Sequence, residues 1–571
     1  MRTGLAGAPA GREAAWAAPG DTDVMSAEDG SRARRPRRPG RRAAVLAGAA
    51  VLVLLLGAGA VVLGARGRLV QATVSSSPGR VPDAGTAGPT AGPTASAAPL
   101  TPTDDWHVAS PPGTHIEGYA DRTSVRTDGQ VKLRVSATGR SFGVTAFRMG
   151  SYGSSAAARL AHAGPFRVVA QPAPTVVADT RTVTTSWTPT ATIAATGWPP
   201  GAYLLRLEGD DGAEGYVPLT VRSDSTAGKV VLVQAVTTWQ AYNDYGGMSL
   251  YHDKDGMPAS RSFAVTFDRP YAEASGSGDF LGNELPLVTF AEHLGLPLAY
   301  ATDVDLQEDP HLLDGARVVV SPGHDEYWST AMRQALTRAR DAGTNVAFLG
   351  ANAVYRHIRF GSTPVGPDRL EIDYKSTADP VTATDPSEST TQWRSAPVPR
   401  PESDLVGGFY QCNPVKAPLV VAHRLSWLTE GLQPGQTLGT LVGPEYDRVD
   451  LSVPTPHPLQ VLFHSPVTCK LMGRTVQDAA DVTYYTTSSG AGVFDAGTSK
   501  WVCALDDTAC QAGWGDAATY RVVRQVTERL LTEAAKGPLG RTHPAQDTTG
   551  GTPGPDDGVA GISGGGPTPT P

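Results

Sequence analysis

A short apolar run, Ala316-Arg317-Val318-Val319-Val320, breaks into Ser321-Pro322-Gly323-His324-Asp325-Glu326-Tyr327-Trp328, and a helical pattern starts at Ser329. A short Val-rich run with a Pro-Gly breaker behind it predicts a strand buried on both faces of a parallel sheet. In open α/β sheets, ligands bind in the crevice beyond the carboxyl ends of the strands. That crevice would receive a His, an Asp, a Glu, a Tyr and a Trp within five positions. The plainer alternative is a turn whose acids cap the next helix and whose aromatics pack.

Two further runs have the same form. Lys229 to Ala235 reads as a strand, and its end carries Thr238-Trp239-Gln240-Ala241-Tyr242-Asn243-Asp244-Tyr245 before Gly246-Gly247. Asn345 to Leu349 is a third strand, ending in Gly350-Ala351-Asn352. Helical patterns over Leu287–Leu294 and Ser329–Ala342, with Gly295 and Gly343 as stops, complete a βαβ rhythm.

Before this region, alternation with period two in 131–135, 143–148, 202–207 and 216–221 predicts an all-β sandwich over 106–225. The expected fold class is therefore α/β: a membrane-anchored chain with a sandwich followed by an α/β domain over 229–536. That domain is closed by a helix from Ala517 to Ala534, with Val522, Val523, Val526, Leu530 and Leu531 on one face.

The ends read differently. A basic run at Arg32–Arg42 precedes Ala43–Ala65, which holds no charge and is long enough to span a bilayer. The basic side sets the orientation: 1–42 inside, 43–66 a transmembrane signal anchor, and the later domains extracytoplasmic at the cell membrane. A cleaved signal is the alternative to an anchor. Residues 67–105 are a Pro/Thr/Ala-rich linker and 537–571 a polar tail, neither able to bury a core. A net charge of −8 gives no reason to expect a nucleic-acid partner. The four cysteines, Cys412, Cys469, Cys503 and Cys510, fall in the part expected outside, where disulfides persist. Pairing Cys503 with Cys510 and Cys412 with Cys469 is the simplest of three connectivities.

The motifs Thr238–Asn243, Ser321–Trp328, Phe348–Asn352, Ser489–Phe494 and Gly497–Trp501 together resemble the N,N-dimethylformamidase large (β) subunit family, above all its C-terminal domain. The resemblance implies a class I glutamine-amidotransferase-like α/β layer, here without the amidotransferase nucleophile. It also implies a mononuclear iron (Fe3+) held by two tyrosines and a glutamate, and a small partner subunit. Carried onto this chain, Glu326 and Tyr242 match two ligands. Tyr203 is the second tyrosine by approximate spacing, with Tyr245 in reserve for Tyr242. His324 and Asn352 match polar residues near the metal. Phenolate and carboxylate are hard donors suited to a ferric ion, His324 suits proton transfer to a leaving amine, and Asn352 suits orienting an oxyanion. The expected activity is hydrolysis of a carbon–nitrogen amide bond in a small-molecule substrate, in a chain that can self-associate. The alternative is a non-catalytic surface protein whose sandwich binds a glycan or other ligand.

Overall fold

The computed structural model describes residues 99–471 and 473–549. Its N-terminal part packs two antiparallel sheets. One is three-stranded, in the order β1 (Ile116–Ala120), β2 (Gln130–Ala137), β5 (Ala191–Ala194). The other is built on β4 (Ser155–Arg167), β3 (Ser141–Tyr152), β6 (Gly201–Gly209) and β7 (Glu214–Val221), in that spatial order, with short edge pieces at Thr101–Pro102 and Ser124–Val125. Alternation sorts β6 between two cores. Tyr203, Leu205 and Leu207 face the sandwich interior with Val131, Leu133 and Trp198. Ala202 and Leu204 face the rest of the molecule, in one apolar cluster with Trp239, Phe280, Leu287 and Val288. The side-chain period of a strand is two, so one strand can serve both.

The larger sheet has seven strands. Five are parallel, in the order β10 (Leu298–Thr302), β8 (Val230–Gln234), β11 (Val318–Ser321), β13 (Asn345–Phe348), β18 (Gly492–Asp495). Antiparallel β17 (Arg474–Thr486) and β16 (Leu459–Leu471) extend it. The middle strands are wholly buried, which their Val-rich composition allows. A smaller sheet joins β9 (Ala264–Thr266), β15 (Leu370–Ile372), β14 (Arg356–Gly361) and β12 (Tyr327–Ser329). Helices are α1 (Val236–Tyr242), α2 (Leu285–His293), α3 (Asp303–Glu308), α4 (Thr330–Asp341) and the 20-residue α5 (Ala517–Lys536), besides short turns.

Three expectations are corrected. The described residues are mostly β-sheet with few helices, not an α/β glutamine-amidotransferase-like fold. The βαβ rhythm was drawn from three strand–helix units, whereas from Arg356 to Thr486 the chain runs through strands and turns with a single short α-helical turn, Ser403–Val406. Nor is the single-pass, extracytoplasmic placement supported. Among the described residues no helix is long and apolar enough to cross a membrane. The expected span 43–66, like 1–42, most of the 67–105 linker and the tail from 550, lies outside the described residues. The segment after β8 is also corrected: Val236–Tyr242 is a helix rather than a strand end. Both expected disulfides form, Cys412–Cys469 and Cys503–Cys510.

Candidate metal and catalytic site

The site grows from the ends of β8 and β11. Helix α1 begins directly after β8, and its two threonines anchor it. Thr237 N–H donates to Asp303 Oδ2 at 2.9 Å, and its hydroxyl reaches both that carboxylate and the Tyr327 carbonyl. Thr238 Oγ1 accepts the Glu326 N–H at 2.9 Å. The first turn of α1 thus clamps the backbone that presents Glu326, and its last residue, Tyr242, points at the same carboxylate.

Gly323 and Gly350 allow the two strand ends to approach. A Cβ at Gly350 would lie 2.3 Å from the Gly323 carbonyl, so no side chain fits there. Asp325 is spent on structure. It accepts from Ser321 Oγ at 2.7 Å and from the Trp328 indole at 2.8 Å, and burial pushes its pKa up to about 6.

Around Glu326, three oxygens from three residues come together. Tyr242 donates its hydroxyl to Glu326 Oε2 at 2.8 Å. Tyr251, nine residues further on, donates to Oε2 at 2.9 Å and Oε1 at 3.1 Å, and its oxygen lies 2.8 Å from that of Tyr242. The two rings stack at 4.3 Å. Tyr327 donates to the Tyr251 oxygen at 2.6 Å, and the Lys375 ammonium sits 3.5 Å from the centre of the Tyr251 ring. Arg356 Nε lies 3.5 Å from Glu326 Oε1 in a fully buried pair. Burial, then the Glu326 charge, raises the Tyr242 and Tyr327 phenols well above their ordinary value. Both are neutral donors in this arrangement.

Beside the oxygens lies a second acid. His324 Nε2 is 3.6 Å from Glu326 Oε2 and 3.4 Å from Glu445 Oε2, and it makes no hydrogen bond although it is buried. Glu445 is held by Asn352 Nδ2 at 3.4 Å, Asn413 Nδ2 at 3.3 Å and Ser499 Oγ at 3.4 Å. Asn352 stands in the left-handed region at φ 61°, its N–H donating to Asp447 Oδ1 at 2.9 Å, and its own Oδ1 is buried without a hydrogen-bond partner. A non-glycine residue at positive φ is uncommon, and such strain gathers at functional sites.

Of the residues expected from sequence, Tyr242, Glu326, His324 and Asn352 are brought together. Tyr203 is not. It lies in the sandwich core, stacked on Trp198 at 5.2 Å, with its hydroxyl donating to the Pro199 carbonyl at 2.7 Å. Tyr245 also points elsewhere, donating to Glu117 of β1 at 2.7 Å. Tyr251 and Glu445 were missed. Among the described residues no group of three His, Cys, Asp or Glu side chains is arranged to hold a metal. The convergence depends on the phenols.

With this geometry in hand, the comparisons are informative. Residues 143–515, more than half of the chain, match the family model described as N,N-dimethylformamidase beta subunit-like, C-terminal. The chain is 27% identical over 339 residues to the N,N-dimethylformamidase beta subunit of Paracoccus aminophilus. It is 26% identical over 338 residues to that of an Alcaligenes species. Each match takes in 51% of this chain and 42% of the relative, so the chain matches less than half of either relative's length. Among solved structures, a Paenibacillus cycloisomaltooligosaccharide glucanotransferase aligns over 21% of this chain and 15% of its own at 12% identity, with a TM-score of 0.12, too small a likeness to carry an argument.

Proposed function

The chain belongs to the N,N-dimethylformamidase beta subunit-like family, and we propose that it is a metal-dependent hydrolase of the carbon–nitrogen bond of small amides. The observation that carries this is the meeting of the Tyr242, Tyr251 and Glu326 oxygens beside His324, whose Nε2 is buried and makes no hydrogen bond. Two phenols and a carboxylate form an all-oxygen, hard donor set, which fits a ferric ion better than a soft one. The unpartnered His324 Nε2 and Asn352 Oδ1 are buried polar atoms of the kind an absent group or substrate satisfies. In this reading Tyr242, Tyr251 and Glu326 hold the iron, with Tyr251 in the place that spacing had given to Tyr203. When bound, the iron supplies Lewis-acid polarisation of the amide carbonyl.

The chain's own groups do the rest. Glu445 Oε2 takes the proton of the attacking water, and His324 Nε2, 3.4 Å away, carries a proton to the leaving amine. Asn352 and Asn413 fix the other Glu445 oxygen and so aim the base. Arg356, 3.5 Å from Glu326 Oε1, places a cationic partner beside that buried carboxyl. The relatives' name, beta subunit, supports a partner subunit for this chain as well.

The test is metal analysis of the purified full chain, with dimethylamine release from N,N-dimethylformamide as the activity readout. One iron per chain is expected, with a visible phenolate-to-iron band, and both are lost in Glu326→Ala. Absence of any stoichiometric metal, with Glu326→Ala behaving as wild type, ends the proposal.

A further inference from the structure

Both phenols of the site come from one short stretch. Tyr242 ends α1, and Tyr251 follows a loop containing Gly246 and Gly247 at φ 76° and 85°. Two left-handed glycines let a loop turn, but they do not fix the distance between its ends. Something else must hold Tyr251 against Tyr242.

Arg269 lies behind that loop. It is 1% exposed, and its guanidinium spans the loop's carbonyls. Nη2 donates to Asn243 O at 2.6 Å, while Nη1 donates to Tyr245 O at 3.1 Å and Met248 O at 2.9 Å. All three acceptors lie between the two tyrosines. Asn243 closes the clasp from the other side. Its Oδ1 accepts the Tyr245 and Ala272 N–H groups, both at 3.1 Å, and its Nδ2 donates to Gln240 Oε1 at 2.7 Å and Pro270 O at 2.9 Å. The segment 269–272 thus grips 243–248 through five hydrogen bonds, three to loop carbonyls and two with the Asn243 side chain.

The choice of residue is informative. Among the described residues no carboxylate comes within ion-pair distance of Arg269, although Glu273, Asp244 and Glu371 act on it from further off, so its direct partners are neutral carbonyls. Burying a charge unpaired is costly. What a guanidinium supplies in exchange is a rigid planar fork, which sets the angles between its acceptors as a lysine's single ammonium cannot. A loop tied merely to stay folded has no need of that geometry, whereas a pair of donors that must meet one carboxylate does.

We infer that Arg269 is a positioning residue: its clasp on Asn243, Tyr245 and Met248 sets the spacing of the Tyr242 and Tyr251 hydroxyls over Glu326. This rests on the reading that those hydroxyls bind the metal. It also gives the sandwich a part in the site, because the same loop is held from its far side by Tyr245 donating to Glu117.

The experiment uses the full chain with tyrosine labelled at the ζ carbon, whose resonances for Tyr242 and Tyr251 are assigned from the two Tyr→Phe variants. In Arg269→Lys these two resonances should move, and iron affinity should fall ~10–100-fold, the usual effect of removing an outer support. Leu313→Ala, a buried change elsewhere, should lower Tm and leave both readouts alone. If Arg269→Lys does not fold, Asn243→Ser breaks the same clasp and is judged by the same criteria. Resonances and affinity unchanged in a clasp variant that has lost Tm overturn the inference. Resonances that move in a protein whose wild type binds no iron uphold the positioning role and refute the metal reading, so the two failures are distinguishable.

Discussion

Removing the Tyr251 hydroxyl should disrupt the site even without metal, whereas the same change at Tyr203 should pass almost unnoticed. The Tyr251 hydroxyl donates to both oxygens of a fully buried carboxylate and accepts from Tyr327. A hydrogen bond to a charged group is worth about 1.5–3 kcal/mol, and a buried donor left without its acceptor costs about 1–3 kcal/mol more. Tyr251→Phe should therefore destabilise the chain by about 2.5–6 kcal/mol, with iron affinity and the visible band lost together. Tyr203 makes one hydrogen bond, to the carbonyl of Pro199, so Tyr203→Phe should cost about 1 kcal/mol and leave the metal in place. Urea midpoints of the apo proteins give the energies, and iron titration with absorbance gives the site. If Tyr203→Phe abolishes the band while Tyr251→Phe preserves it, the second ligand has been misassigned and the clasp of Arg269 has lost its purpose.

Two stability predictions are independent of the metal. Burial, then Arg400, holds the His357 imidazole down at about 3. Below an unfolded value of about 6.5 the unfolded chain therefore binds a proton that the native chain refuses. Stability from this group is complete above that pH and falls as pH drops toward 3, by up to about 1.4 kcal/mol per pH unit. The difference between wild-type and His357→Gln urea stabilities should carry that slope between pH 6 and 4, and a flat difference refutes it. The two disulfides should contribute unequally. They close loops of 57 and 7 residues, for which chain entropy gives about 4 and about 2 kcal/mol. Replacing Cys412 and Cys469 by serine should lower the urea midpoint more than replacing Cys503 and Cys510, and the opposite order counts against the entropic account.

Where the pattern of the sequence is local and periodic, the structure follows it. The Val-rich runs become β8, β11 and β13, and Val522, Val523, Val526, Leu530 and Leu531 are all buried along α5. Gly295 and Gly343 take positive φ at helix ends, as C′ glycines do. The failures have a different origin. Val236, Thr237, Thr238 and Trp239 are poor helix formers, and α1 exists because the threonine side chains are bound by Asp303 and by the backbone of Glu326, partners far away in sequence. Tyr251 stands in Ser249-Leu250-Tyr251-His252, which has neither period. Its place is set by a loop clasped from Arg269, and no local pattern announces that.

The place of Tyr203 is legible in its own strand. Spacing along the chain measures contour length, but a strand sends alternate residues to opposite faces. Tyr203 shares its face with Leu205 and Leu207, both sandwich-core residues by pattern, so a metal at Tyr203 would have had to sit inside that apolar core. Ala202 and Leu204 are the residues of this strand that look toward the larger sheet. The strand period thus keeps Tyr203 in the sandwich core, its hydroxyl on the Pro199 carbonyl, whereas Tyr251, close to Tyr242 in the chain, meets Glu326. Glu445 obeys no such rule. It reaches His324 through a loop more than a hundred residues beyond Glu326, and only the assembled sheet brings the two acids to either side of one imidazole.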